Sequence, residues 1–313
     1  MPNENNPQAN AILGHTFRLL DHGFVRLIDY MGGDAEIEQA ARVSYDAGAA
    51  SRKVSETRGL LRYLLRHRHT TPFEMCELKF HCKMPIFVAR QWIRHRTASV
   101  NELSGRYSVL PTEFYLPGVE NLKYQSKTNK QGRAEPLPYD LADTVRSSMR
   151  KQAQGNFAAY QLFLGECPPD DYFDEEDTAR LRGGGGLAKE LARISLPLST
   201  YTEWYWKIDL HNLMHFLKLR LDPHAQHEIR VFADVMFDLA RRVAPLAMEA
   251  FEDYVLNAVT FSKPDIMAGA IDNADLPEGE RKERLKAIFG NDREVQEYLE
   301  KVSRMEKLVE TES

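Results

Sequence analysis

Cysteine is scarce. The 313-residue chain has three, Cys76, Cys82 and Cys167, which cannot close a disulfide framework and point to a reducing compartment. Long apolar runs are missing too, since none approaches the roughly 18 residues of a membrane span. The polar stretch Met1–Asn10 lacks the apolar core of a secretion signal and reads as a disordered tail. Nor does one charge sign dominate: 46 acids against 41 bases leave a net −5, which argues against a general binder of nucleic acid or membrane surface. Neither an internal repeat nor a clean linker divides the chain. What is present, 43% apolar and 28% charged residues, suits a core that buries about three quarters of the unfolded surface. One large cytoplasmic domain with tails is the expectation.

Periodicity places the elements. Phe24–Met31 reads as a strand, and Ala35–Tyr45 and Leu60–Leu65 as helices, with Thr70, Thr71 and Pro72 breaking the second. Leu78, Phe80, Cys82 and Met84 alternate with polar neighbours, the period of a half-buried strand. Pro85 suits the first turn of a helix over Ile86–His95. Polar loops are expected over Arg96–Ser108, Asn121–Pro138 and the acidic Pro168–Asp177. Asp140 is a candidate cap for a helix of about 24 residues that carries Leu141, Val145 and Met149 four apart. Leu187–Ser195 reads as helical. Thr202, Trp204, Trp206 and Ile208 form one face of a strand, which leads into a helix over Leu210–Leu221. A further helix carries Ile229, Phe232, Met236, Leu239 and Val243, and Pro245 should kink or end it. In the charged C-terminal stretch Val295, Tyr298, Leu299, Val302 and Met305 make a narrow apolar seam, expected to dock on a neighbouring element.

Several chemical-looking signals are weak. Gly183–Gly186 with Ala188 fits a dinucleotide-binding pattern in letters only, because charged residues rather than an apolar strand precede it; a flexible hinge is expected there. His211 and His215 share a helix face, yet Asn212 stands where a zinc hydrolase of the HExxH type needs glutamate. No metal is therefore expected. The cysteines read as small buried hydrophobes rather than nucleophiles.

The chemistry concentrates at Arg90-Gln91-Trp92-Ile93-Arg94-His95-Arg96 and Asn101-Glu102-Leu103-Ser104-Gly105-Arg106-Tyr107. On one helix, Arg90 would stack on Arg94, and Gln91 beside Arg94 and His95. Ile86–Ser108 holds Arg90, Arg94, Arg96 and Arg106 against the single acid Glu102, an anion site in outline. The arginine fork grips phosphate through paired hydrogen bonds, and Gly105 lets backbone approach a ligand.

Arg94-His95-Arg96, seven residues and then Ser104 resemble the RHRx7S signature of the flavin-dependent thymidylate synthases. His69-Thr70-Thr71-Pro72-Phe73-Glu74 resembles a second segment of that family. A third runs from Leu191-Ala192-Arg193-Ile194 through Leu196-Pro197 and Tyr201-Thr202 to Leu217-Lys218-Leu219-Arg220 and His224-Ala225-Gln226. The resemblance spans roughly Arg42–Ala240. It implies an α+β fold, a mixed sheet with packed helices in a single large domain, assembling as a homotetramer with shared active sites. It implies synthesis of thymidylate from deoxyuridylate (dUMP). Methylene-tetrahydrofolate would be the carbon donor and FAD, reduced by NADPH, the hydride source, with no cysteine nucleophile.

By the same resemblance dUMP is held by Gln91, Trp92, Ile93, Arg94, Glu102, Leu103, Ser104, Gly105, Arg106, Arg193 and Arg220. Arg220 is the catalytic residue, facing the uracil. FAD falls to Thr71, Arg94, His95, Arg96, Glu102, Asp209, Leu210, His211 and His215. Asp209, His211 and His215 depart from residues common in the family, and Asp209 is the most questionable beside a diphosphate. Arg220 lies five residues past His215, about 140° round an unbroken helix; either the helix loosens or the two serve different ligands. The implied organisation is a tail over 1–10, a catalytic domain over 11–262 and a charged helical extension over 263–313. Two other readings stay open: a non-catalytic nucleotide or RNA binder using Arg90–Arg106, and a metallohydrolase at His211 and His215.

Overall fold

Alternation along the sequence becomes an antiparallel sheet in the computed structural model, which describes residues 6–43, 54–127, 132–166, 174–272 and 276–312. The strands are β1 (Phe17–Leu19), β2 (Gly23–Met31), β3 (Glu77–Pro85), β4 (Ser99–Glu102), β5 (Lys123–Gln125), β6 (Arg133–Pro136) and β7 (Tyr201–Asp209). Five of them pair in the order β1-β2-β3-β7-β4, and β5 and β6 form a separate two-stranded ribbon. Every pairing of these strands is antiparallel, where a mixed sheet was expected. Among the described residues the chain forms two compact units, Met1–Phe251 and Glu252–Ser313.

In the first unit the register sets Phe80 opposite Trp206 and Cys82 opposite Trp204. This puts the apolar residues of both central strands on one face. Trp92, at the end of the helix Ile86–Trp92, closes over that face. Its ring centroid lies 5.0–5.8 Å from those of Trp204, Trp206, Phe216 and Phe232, so one indole joins the sheet to two helices. Phe216 belongs to the helix Leu210–Arg220 and Phe232 to His227–Val243. The latter ends before Pro245, which opens the next helix, as its missing N–H allows.

Several boundaries differ from the periodicity. The helix after β3 ends at Trp92, not His95, and Pro85 precedes it in extended conformation rather than filling its first turn. Arg94, His95 and Arg96 therefore leave the helix, and the expected stacking of Arg90 on Arg94 does not apply. Within the expected loop Arg96–Ser108 lies β4, whose four residues are all exposed. An edge strand held by backbone pairing to β7 has no alternation to reveal it. Asn121–Pro138 likewise contains the β5–β6 ribbon. Arg133 of β6 donates to Glu228 at 2.5 Å, and Tyr115 donates to the same carboxylate at 3.1 Å, which fastens the ribbon to the helix His227–Val243.

The long helix runs Tyr139–Phe163 without a side-chain cap; Asp140 sits inside its first turn, favourably for the helix dipole. Its buried face is Ala142, Ala153, Phe157, Tyr160 and Leu162, so Leu141 and Met149 of the expected stripe stay exposed. Part of the acidic stretch, 168–173, lies outside the described residues, as do Cys167, residues 1–5 of the expected tail and Tyr45, the expected end of an early helix. Pro7–Asn10 is a helical turn capped by Asn6, with Ala9 buried, rather than tail. Asp174 caps a helix over Glu175–Gly183, donated to by Asp177 at 2.7 Å. The glycine run is a tight crossing, not a hinge. A Cβ on Gly186 would lie 2.5 Å from the Leu164 carbonyl, and its φ of +81° suits glycine.

The second unit packs Lys263–Asp272, Glu278–Phe289 and Asp292–Glu312 around Ala268, Leu285, Phe289 and Tyr298. The expected seam partly supplies this core: Val295 and Val302 pack against it, whereas Leu299 and Met305 remain exposed.

Candidate active site

The site is built where the arginine segment, the edge strand and the helix after β7 converge. Once the helix Ile86–Trp92 ends, the chain places Arg94, His95 and Arg96 in sequence and enters β4. Leu103 N–H donates to the Glu203 carbonyl at 2.8 Å and carries the chain past the sheet. Ser104 then opens a turn, its carbonyl accepting from Tyr107 and Ser108 N–H at 3.2 and 3.1 Å and its hydroxyl from Arg106 N–H at 3.3 Å. Gly105 is buried, and a Cβ there would come within 3.2 Å of Leu110 and of the Arg193 side chain. Glycine is needed at this point for closeness, not for positive φ. It lets Arg193 lie against the turn.

A cavity of ≈ 240 Å³ opens beside that turn, lined by Glu102, Leu103, Gly105, Arg193, Leu196 and Thr202 among others. Thr202 donates to Glu102 at 2.7 Å and so aims one carboxylate at the cavity. Neither Thr202 nor Glu190 was singled out from the sequence; both act through partners distant in the chain. Glu190 holds Arg106 at 3.1 Å, with both side chains more than half exposed. Arg106, expected as a phosphate clamp, thus carries an internal counter-ion.

Arg90, Arg94, Arg96 and Arg193 make no side-chain hydrogen bond or ion pair among the described residues. Of these, Arg193 lines the cavity and Arg96 a second cleft, whereas Arg90 and Arg94 are exposed beside them in the chain. The Gln91 side-chain oxygen is buried without a donor among the described residues.

Arg220, on the last turn of the helix after β7, donates through Nε to His95 Nε2 at 3.1 Å. Burial first, then the positive charges of Arg220 and His215, hold the His95 imidazole down to about 4, so it is neutral at ordinary pH. The helix is unbroken from Leu210 to Arg220, and His215 and Arg220 do not share a direction. His215 is exposed, its ring 6.0 Å from that of His95.

Arg96 and Asp209 line a second, shallower cleft with Glu77, Ser99 and Lys207. The Asp209 carboxylate is the N-cap of the Leu210–Arg220 helix, accepting from Asn212 N–H at 2.8 Å and from its side-chain amide at 2.7 Å. That capping role accounts for a carboxylate at a position that looked unsuited to a diphosphate. Thr71 is exposed at the start of the short helix Thr71–Met75, which packs on the same helix; Leu210 N–H donates to the Cys76 carbonyl at 2.7 Å. His211 is half-buried and Ile93 exposed. The side chains of Trp92 and Leu210 are fully buried, so only their backbone is within reach of a ligand.

Cys76 and Cys82 are both buried, and burial pushes both thiols up, away from the nucleophilic form. Among the described residues no group of three or more His, Cys, Asp or Glu side chains is placed to hold a metal ion.

Comparison with known proteins decides the family. The family model described as thymidylate synthase complementing protein matches residues 26–246. A flavin-dependent thymidylate synthase of Gluconobacter oxydans is 55% identical over 79% of this chain and 75% of its own length. The chain belongs to the flavin-dependent thymidylate synthases. Another such synthase, from Rickettsia conorii, is 47% identical over 91% of this chain and 97% of its own. Among solved structures, the UMP/dUMP methylase PolB of Streptomyces cacaoi, bound with 5-Br dUMP, aligns with a TM-score of 0.64 at 32% identity, covering 77% of this chain and 99% of PolB. The family's RHRx7S segment runs here from Arg94, His95 and Arg96 to Ser104, the residue that opens the Gly105 turn.

Proposed function

We propose that this chain makes thymidylate from dUMP, with methylene-tetrahydrofolate as carbon donor and NADPH-reduced FAD as hydride source. The observation that carries the reading is Arg193, without an acid partner among the described residues, set against the Gly105 turn of the RHRx7S segment beside a cavity. It supports binding of small phosphorylated ligands, and PolB was solved with a uridylate analogue. Arg193 and Arg106 clamp the nucleotide phosphate, with Ser104 and the Gly105 backbone completing the cradle. Gln91 offers its undonated oxygen to a ligand N–H. Arg220 stabilises negative charge that develops on the N3/O2 side of the uracil, which activates the ring without a thiol. Arg94 and Arg96, without an acid partner among the described residues, suit an anionic cofactor; with Thr71, His95, Glu102, Asp209, His211 and His215 they would hold FAD. When bound, the flavin supplies the hydride that completes the transferred methyl group. Ile93, Leu103 and the backbone of Trp92 and Leu210 shape the walls around these groups.

The reading extends to a cytoplasmic homotetramer with shared sites, acting on small molecules rather than on nucleic acid or membrane. The exposed apolar residues Tyr139, Leu141 and Met149 along the long helix support a subunit contact. We also retain a catalytic region over 11–262 with a helical extension over 263–313. Purified protein should convert dUMP to thymidylate with NADPH and the folate donor, with UMP as the competing substrate to exclude. Arg220→Ala should lower kcat by about 10²–10³-fold with flavin absorbance retained. Wild-type protein that binds no flavin and leaves dUMP unchanged refutes the reading.

A further inference from the structure

Arg220 reaches the site with one of its three nitrogens already committed. Nε donates to His95 Nε2, across 125 positions of sequence, and neither Nη group has a partner among the described residues. A guanidinium has donors only, so Nε2 must carry the lone pair and the ring proton must sit on Nδ1. The imidazole is itself fixed. Phe216 stands edge-on to it with ring centroids 4.9 Å apart, one helical turn before Arg220. The ionisable groups that bear on it are all cationic or neutral: Arg220 and His215 from the Leu210–Arg220 helix, and Arg94 and Arg96 beside it in the chain. None of them is a carboxylate that would draw a proton onto Nε2.

We infer that His95 is a positioning residue for Arg220, its Nε2 tethering Nε so that both Nη groups are left for the nucleotide. The inference rests on the reading of Arg220 as the cation on the uracil. It makes the middle residue of Arg94-His95-Arg96 a link between the arginine segment and the catalytic helix. Loss of the tether leaves a long side chain free to rotate at the point where charge develops. Misplacement of about 1 Å there costs on the order of 10²-fold in rate.

The test uses the full-length, flavin-loaded enzyme in two variants. His95→Phe keeps a flat ring and removes the acceptor, whereas His95→Gln keeps an acceptor oxygen near the place of Nε2. His95→Phe should lose about 10²-fold in kcat with little change in KM for dUMP, and His95→Gln should regain most of that loss. The second readout is independent of turnover. By nitrogen-15 NMR of the full chain, the Arg220 Nε–H should be slow to exchange with solvent in wild type and His95→Gln, and fast in His95→Phe. His95 should titrate near pH 4, and Arg220→Ala should move that midpoint up, with burial still holding it below the ordinary imidazole value. Wild-type kcat in His95→Phe overturns the inference, as does unchanged Nε–H exchange in that variant. Should His95→Phe shed its flavin, the Nε–H exchange decides. If the wild-type enzyme does not methylate dUMP at all, the functional reading fails, while exchange and titration still decide whether the tether exists.

Discussion

Arg133 and Arg193 carry the same charge in opposite company. Arg133 of the β5–β6 ribbon sits on Glu228, a carboxylate with only 3% of its side chain exposed, which Tyr115 also holds. Arg193 lies against Gly105 and lines a cavity, and it makes no ion pair among the described residues. The first arrangement spends a guanidinium on joining a ribbon to a helix. The second keeps one for a visitor. The C-terminal unit repeats the first pattern, with Arg281, Arg284, Lys286, Arg293 and Lys301 each on a carboxylate. Counting bases therefore says little; what each base is paired with, and whether it lines a cavity, says more.

The sharpest way to break this contrast is to remove the structural cation. Arg133→Met leaves Glu228 buried with only the neutral donors Tyr115 and Gln226 among its side-chain partners, and stability should fall by about 3 kcal/mol, the cost of a stranded buried charge. The pH dependence fixes the cause. In the wild type burial raises the Glu228 carboxyl, but the charge and hydrogen bond of Arg133, together with hydrogen bonds from the Glu228 backbone and Gln226, hold it below its usual range. Its contribution is present above pH 4.5 and is lost as the pH falls. In the variant only hydrogen bonds oppose burial, the carboxyl rises, and the deficit should shrink on acidification as Glu228 takes up a proton. Urea melts at pH 7 and pH 5 measure both effects; a deficit independent of pH contradicts the account.

Arg193→Ala should behave in the opposite manner. No internal ion pair is broken, so the melt should barely move, whereas KM for dUMP should rise by about 10- to 100-fold, the worth of one charge-assisted contact. The phosphate is remote from the reacting ring, and kcat should change less than KM. A large stability loss with unchanged KM would place Arg193 in the structural class.

How much of this contrast was legible beforehand depends on the range of the interaction. Strands β3 and β7 and the helix Leu210–Arg220 were readable because their apolar residues recur at the period of the element. The arginine cluster was readable because its residues are adjacent in sequence. The edge strand β4 was not, since it holds its place through backbone pairing and shows no apolar face. The end of the helix at Trp92 was also hidden: Arg94 and His95 are compatible with a helix, and the fold rather than propensity releases them. Pairings such as Thr202 with Glu102, or His95 with Arg220, join positions 100 and 125 apart. No local pattern announces them. The Asp209 puzzle dissolved for a related reason, because its capping partner depends on where the strand stops.

Arg106 stands between the two classes, and it yields the finest prediction. It has an acid, Glu190, at 3.1 Å, but the two side chains are 57% and 52% exposed, so water and salt screen the pair and its net worth is small. A phosphate offers two or more oxygens and a larger charge, enough to take Arg106 from Glu190 on binding. The ion pair is then a competitor for the substrate rather than a support for the fold. Glu190→Gln removes the competing charge and keeps the shape, so KM for dUMP should fall by about two- to fivefold with kcat unchanged. The difference between wild type and variant should narrow as salt is raised, because the screened term is the one removed. If KM rises instead, Glu190 is holding Arg106 in its binding position, and Arg106 belongs with Arg133 rather than with Arg193.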